Sequence, residues 1–217
     1  MPAKPPPVPI SFAIFRDDEP VIATLEFAGN ADIMSATRWH VPSELDDDPL
    51  MRARAADACE FALLAAKRWR HYRDTSSVAL TLGELKRMIS SNPAGEFCFH
   101  LKMTADWFPG SLGSAMVRRP WRHNLMIDFL FVHPRISGRV LNVKGVGIQI
   151  LKAICAIAYE LGCDTVWGEA TQDSAPFYER HLHREVGDRF DIGGSQIIQF
   201  ATLLEAERSA ATACEKP

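Results

Sequence analysis

The run NVKGVGIQILKAICAIAYEL, from Asn142 to Leu161, decides how this 217-residue chain folds. Gly147, Ile150, Leu151, Ile154, Ala158 and Leu161 recur at helical spacing, so the spacing predicts a helix over about 145–161. Leu161-Gly162 supplies its stop. The apolar stretch Leu125–Val132 before it and Asp164–Thr171 after it read as strands. A strand, loop, helix and strand in that order form a right-handed crossover between parallel strands.

Working outward, Glu96–Met103 and Ser114–Arg119 read as further strands, parted by turns rich in Gly, Pro and Trp. Ala55, Cys59, Ala62, Ala66 and Trp69 place a long helix at about 50–73, and Asp46-Asp47-Asp48-Pro49 suits its start. A shorter helix opens at Thr81 and ends near Asn92-Pro93. Two strands are expected within 8–29, around the turn Asp17-Asp18-Glu19-Pro20; they either extend the sheet or form an added lobe. Past the crossover come a short helix at 174–181 and a hairpin. In that hairpin Arg189–Ile192 turns at Gly193-Gly194 into a strand Gln196–Leu204, and a short helical tail follows Glu205.

The composition is that of an ordinary globular protein, 47% hydrophobic and 24% charged with a net charge of -3. One domain spanning 1–217 is expected, with an N-terminal extension (1–49), a helical part (50–95), a core sheet (96–204) and a tail (205–217). Charge is balanced in both halves, which argues against nucleic acid as a partner. No apolar run approaches the roughly 20 residues of a membrane span. The proline-rich start Met1–Pro7 lacks the plan of a signal peptide, and the five scattered cysteines form no Cys-x-x-Cys; a cytoplasmic location is expected. His181-Leu182-His183, with Glu185 beside it, could suggest a metal. A lone His-x-His without a third convergent ligand is more often surface chemistry, so no metal is expected.

Gly145 and Gly147, two residues apart at a helix start, have two readings. They leave backbone N–H groups free to hold a phosphate, with Lys144 beside them, or they relieve crowding where helix meets sheet. The third glycine of a dinucleotide fingerprint is missing, since position 150 is Ile, and no Gly-Lys-Ser/Thr is present.

Leu130-Phe131-Val132-His133-Pro134, then Asn142-x-x-Gly145-x-Gly147, then the strand Thr165–Thr171, then Ser174-Ala175-Pro176-Phe177-Tyr178-Glu179-Arg180 together resemble the GCN5-related N-acetyltransferase (GNAT) superfamily. The resemblance covers about half the chain and is specific over 125–180. It implies an α/β (α+β) fold with a mixed, mostly antiparallel sheet splayed at the family's fourth and fifth strands. Helices cover both faces, and an N-terminal β-hairpin is added. It implies acetyl-CoA as cosubstrate, with a CoA-binding unit at 125–182. Main-chain groups of Phe131 and Val132 would pair with the pantetheine arm, at a bulge that splays the strands. Asn142, Val143, Lys144, Gly145, Val146 and Gly147 would hold the pyrophosphate. Thr171, Ser174 and Phe177 would lie beside the arm, and Tyr178 would be the general acid toward the leaving thiolate. Four departures from the family pattern stand out. Asn142 takes a usual Arg or Gln, the link from Pro134 to Gly147 is longer, Thr171 takes a usual Asn, and Leu182-His183 takes a usual Gly-Phe.

For the base, Asp128 is an acid inside an apolar strand, four residues before Val132. In a regular strand it would share a face with Leu130 and oppose Phe129 and Phe131. Its other reading is a buried acid paired with an arginine; Glu169 is the reserve. The expected function is acetyl transfer from acetyl-CoA directly to a primary amine. The alternative is a non-catalytic acyl-CoA-binding or protein-interaction module on the same fold, and a homodimer is common on this scaffold.

Overall fold

The computed structural model describes residues 9–121 and 123–214, with side chains to Ser209. The proline-rich start Met1–Pro7 lies outside the described residues. The two N-terminal strands come first in the chain: β1 (Ile10–Arg16) and β2 (Glu19–Phe27) pair antiparallel about the Asp17-Asp18 turn, where both aspartates take positive φ. A helix α1 (Asn30–Ala36), without a counterpart in the sequence reading, follows.

The long helix α2 (Pro49–Asp74) starts where the aspartates and proline indicated, with the Asp48 carboxylate accepting from the Met51 amide at 3.0 Å. Its buried stripe is mostly alanine (Ala55, Ala58, Ala62, Ala65, Ala66) ending in Trp69 and Tyr72. Small side chains along this stripe leave the helix backbone free to lie close to the sheet. A short strand β3 (Val78–Ala79) precedes α3 (Leu82–Ser91), which Thr81 caps through the Glu84 amide at 3.0 Å.

The central strands are β4 (Phe97–Ala105), β5 (Phe108–Arg119) and β6 (Asn124–Val132). A short helix α4 (Pro134–Ser137) and a two-residue strand β7 (Val143–Lys144) lead into α5 (Val146–Glu160). Then come β8 (Thr165–Glu169), α6 (Ala175–Leu182) and β9 (Arg189–Gly193). The sheet order is β7-β1-β2-β4-β5-β6-β8-β9, with β3 beside β4. Pairing is antiparallel except for β3 with β4 and the crossover pair β6 with β8. The fold is the expected mixed sheet with helices on both faces, and the N-terminal hairpin extends that sheet instead of forming a separate lobe.

One element differs outright. Gly194–Cys214 is a single helix, α7, not a returning strand and a short tail. Ile197, Phe200, Ala201 and Leu204 are buried at positions i, +3, +4 and +7, a helical period hidden inside a run rich in β-favouring residues. Packing of that stripe outweighs local propensity. At the buried α5–α7 seam, Lys152 donates to Glu207 at 2.5 Å and Gln149 to the same carboxylate at 2.9 Å.

Candidate active site

The parallel pairing of β6 with β8 runs only from Asn124 with Thr165 to Ile127 with Gly168. Beyond Ile127 the two strands part, and β8 continues toward β9 through the Ala170 amide bonded to Asp188 O. Residues 128–132 thus keep β5 on one side and have no strand on the other. That open edge forms one wall of a cleft of about 620 Å³.

The bulge responsible lies at Asp128, upstream of Phe131–Val132. On β5, Met116 faces Phe129 while Val117 faces Ile127, so Asp128 is the extra residue. A bulge resets alternation, and the expected facing is corrected accordingly. Asp128 now shares the α2 face with Phe129, which meets Phe61, and with Phe131, which meets Trp39 edge-on. Leu130 faces α5 instead, near Gly147.

The floor of the cleft is the start of α5. Gly145 caps it at φ 99, a left-handed conformation that favours glycine. No side chain caps this end, so the first-turn amides present the positive end of the helix to the cleft. Gly147 answers to crowding: a Cβ there would lie 3.2 Å from the Phe177 ring. Gly145 thus meets a conformational need and Gly147 a steric one. Strand β7 pairs with β1, and the Asp17 amide donates to Asn142 O at 2.9 Å, which ties this loop to the N-terminal hairpin.

The lining gathers Phe131, Val132, Val143, Lys144, Gly145, Val146, Gly147, Thr171, Ser174, Phe177 and Tyr178 in one place. Asn142 is exposed and outside the lining. Thr171 and Ser174 brace each other: the Thr171 amide donates to Ser174 Oγ at 2.8 Å, which sets up the start of α6. Tyr178 is buried, stacked on Phe190 at 3.8 Å and edge-on to Phe177. Burial pushes its phenol well above the usual range, which keeps the proton on oxygen.

Asp128 sits apart from the lining. Its side chain is fully buried, and Oδ1 accepts from Arg118 Nε at 2.9 Å and pairs with Arg68 at 2.8 Å. This matches the paired-acid reading at Oδ1, while Oδ2 is buried and among the described residues has no hydrogen-bond partner; Glu169 is exposed at the end of β8, also outside the lining. Residues that sequence reasoning missed come from elsewhere in the chain. Arg54, Asp57, Ala58 and Phe61 of α2, Ile136, Ser137 and Arg139 after β6, and Asp173 and Arg180 all line the cleft. The face Arg54, Asp57, Phe61 has helical spacing, but nothing local marks it as facing a cavity.

His133 accepts from the Arg135 amide at 3.2 Å and so caps α4; burial pushes its imidazole down to about 4. Among the described residues no group of three or more His, Cys, Asp or Glu is placed to hold a metal, and no helix is long and apolar enough to cross a membrane. Cys59, Cys98, Cys155 and Cys163 are free thiols.

No family model and no curated protein matches the chain. Solved structures do. An acetyltransferase from Bacillus cereus is 26% identical over 44% of this chain and 69% of that one, with a TM-score of 0.34. A GNAT-family acetyltransferase from Desulfovibrio desulfuricans is 13% identical over 79% and 98%, TM-score 0.41. The AtaT toxin, in a structure with acetyl-CoA and the C-terminus of the antitoxin AtaR, is 12% identical over 81% and 95%, TM-score 0.46. These likenesses name no acceptor for this chain.

Proposed function

We propose that the chain is an acetyl-CoA-dependent N-acetyltransferase that moves the acetyl group directly to a primary amine. The observation carrying this reading is the unpaired β6 edge opening onto the same cleft as the uncapped start of α5 and Tyr178. An extended amide-bearing arm can pair with residues 130–132 as a strand would, while the α5 amides take the phosphates.

In this reading the amine nitrogen attacks the thioester carbon and the carbon–sulfur bond breaks. The Tyr178 hydroxyl gives its proton to the departing thiolate. Alignment of the two reactants in the cleft supplies much of the rate. The amine's own proton falls to the carboxylates that line the cleft, Asp57 and Asp173, and Asp128 serves as the anion that holds the bulge through Arg68 and Arg118.

Acetyl-CoA at a hundredfold excess over its dissociation constant should stabilise the fold by about 2.7 kcal/mol, read as a rise in melting temperature. Release of free thiol across a panel of amines then tests transfer. Tyr178→Phe should lower turnover about 10²-fold or more while changing CoA affinity little. Binding without thiol release for any amine would favour the non-catalytic module, and no binding at millimolar acetyl-CoA would remove both readings.

A further inference from the structure

The cleft has a second wall, on α2. Arg54, Asp57, Ala58 and Phe61 line it at i, +3, +4 and +7, one helical face. Past the bulge the two sides of β6 serve different helices. Leu130 lies near Gly147 at the start of α5, whereas Phe131 shares a buried cluster with Ala62 and Ala65 of α2. The glycine loop belongs to the first side, and Arg54, Asp57 and Phe61 belong to the second.

Two opposite charges stand on the α2 wall without a protein partner. Arg54 is half-buried and Asp57 exposed, and among the described residues neither makes a hydrogen bond, ion pair or ring contact. Other charges on α2 are engaged: Arg52 with Asp46, and Arg68 with Asp128. A cation placed before an anion is the weaker order for a pair within a helix, so helix stability does not account for the two. Phe61, Val132 and Ile136 add apolar lining to the same cleft.

We propose that the acceptor is a free α-amino acid with an apolar side chain, its carboxylate held by Arg54, its ammonium by Asp57 and its side chain by Phe61, Val132 and Ile136. The assignment rests on the acetyl-transfer reading above and narrows its amine. The planar fork of Arg54 takes both carboxylate oxygens. Asp57 holds the ammonium and takes the proton that must leave before the nitrogen attacks. A polyamine would set a second ammonium against Arg54, and a lysine side chain in a protein carries no carboxylate beside its amine. Neither satisfies both charges.

The test measures kcat/KM for free thiol release at saturating acetyl-CoA. The acceptors are leucine, methionine and phenylalanine, the carboxamide of each, and spermidine. The intact chain should prefer at least one acid over its amide by about tenfold or more, with spermidine the poorest acceptor. In Arg54→Gln the acid-over-amide ratio should fall to about one, and Arg54→Lys should restore part of it. An amide or spermidine used as well as the acids by the intact chain overturns the assignment and leaves acetyl transfer standing. So does an acid-over-amide ratio unchanged in Arg54→Gln, or thiol release with other amines and none of these acids. Release with no amine at all overturns both readings. The comparison within the intact chain stands even if a variant fails to fold.

Discussion

Asp128 shows how one side chain can be misread by its surroundings in sequence. An acid in an apolar strand demands a partner, because burying it alone is costly. The partners are Arg118, two strand positions away across the bulge, and Arg68 on α2. Arg118 also donates to Glu96 at 2.7 Å, and Glu96 accepts from the Tyr72 hydroxyl at 2.6 Å, so the pair belongs to a wider network. Asp128→Asn should therefore lower stability by about 1–3 kcal/mol in chemical denaturation, less than for a fully buried pair because Arg68 is partly exposed. If its work is structural, the pH dependence of turnover in the folded variant will match the parent. A lost or shifted acidic limb in that profile would restore Asp128 as the base.

At the scale of elements, the glycine loop is held from both ends. Strand β7 hangs on β1, and α5 packs its buried face on the sheet and on α7. The hairpin that seemed an appendage therefore braces the start of α5. Ligand binding at Val143–Gly147 should reach that hairpin: saturating CoA should slow hydrogen exchange at the Asp17 amide, which bonds to Asn142 O. Unchanged exchange there, with protection on α5 alone, would show that the brace is not engaged. The same view explains α7. Its residues 196–204 look like a strand when read locally, and only the groove offered by α5 and β1 selects the helix.

For the molecule as a whole, the buried His100 contributes to the response to acid. His100 is 2% exposed on β4, edge-on to Trp69, and burial pushes its imidazole down to about 3. The unfolded chain binds this proton near pH 6.5, the folded one only far lower, so the unfolded state takes up more protons as pH falls. Stability from this group is full above about pH 6.5 and is lost as pH falls toward 3, at up to about 1.4 kcal/mol per unit. His133, pushed down to about 4, acts in the same direction. Between pH 6.5 and 4.5, His100→Leu should fold with a visibly flatter acid slope than the parent. Parallel slopes would mean that His100 gains its proton without unfolding.

Legible in the residues alone were the crossover around Asn142–Leu161, the long helix at about 50–73, and the order of motifs now grouped in one cleft. Those signals are local: helical spacing, caps and turn residues act through neighbours a few positions apart. The tertiary structure alone decided the rest. The bulge at Asp128 turned its carboxylate onto the α2 face. The groove beside α5 made 196–204 a helix, and α2 and the turn after α4 brought Arg54, Asp57 and Arg139 to the cleft. Each of these depends on contacts between segments far apart in the chain, where burial and pairing free energies exceed the local preferences that a sequence displays.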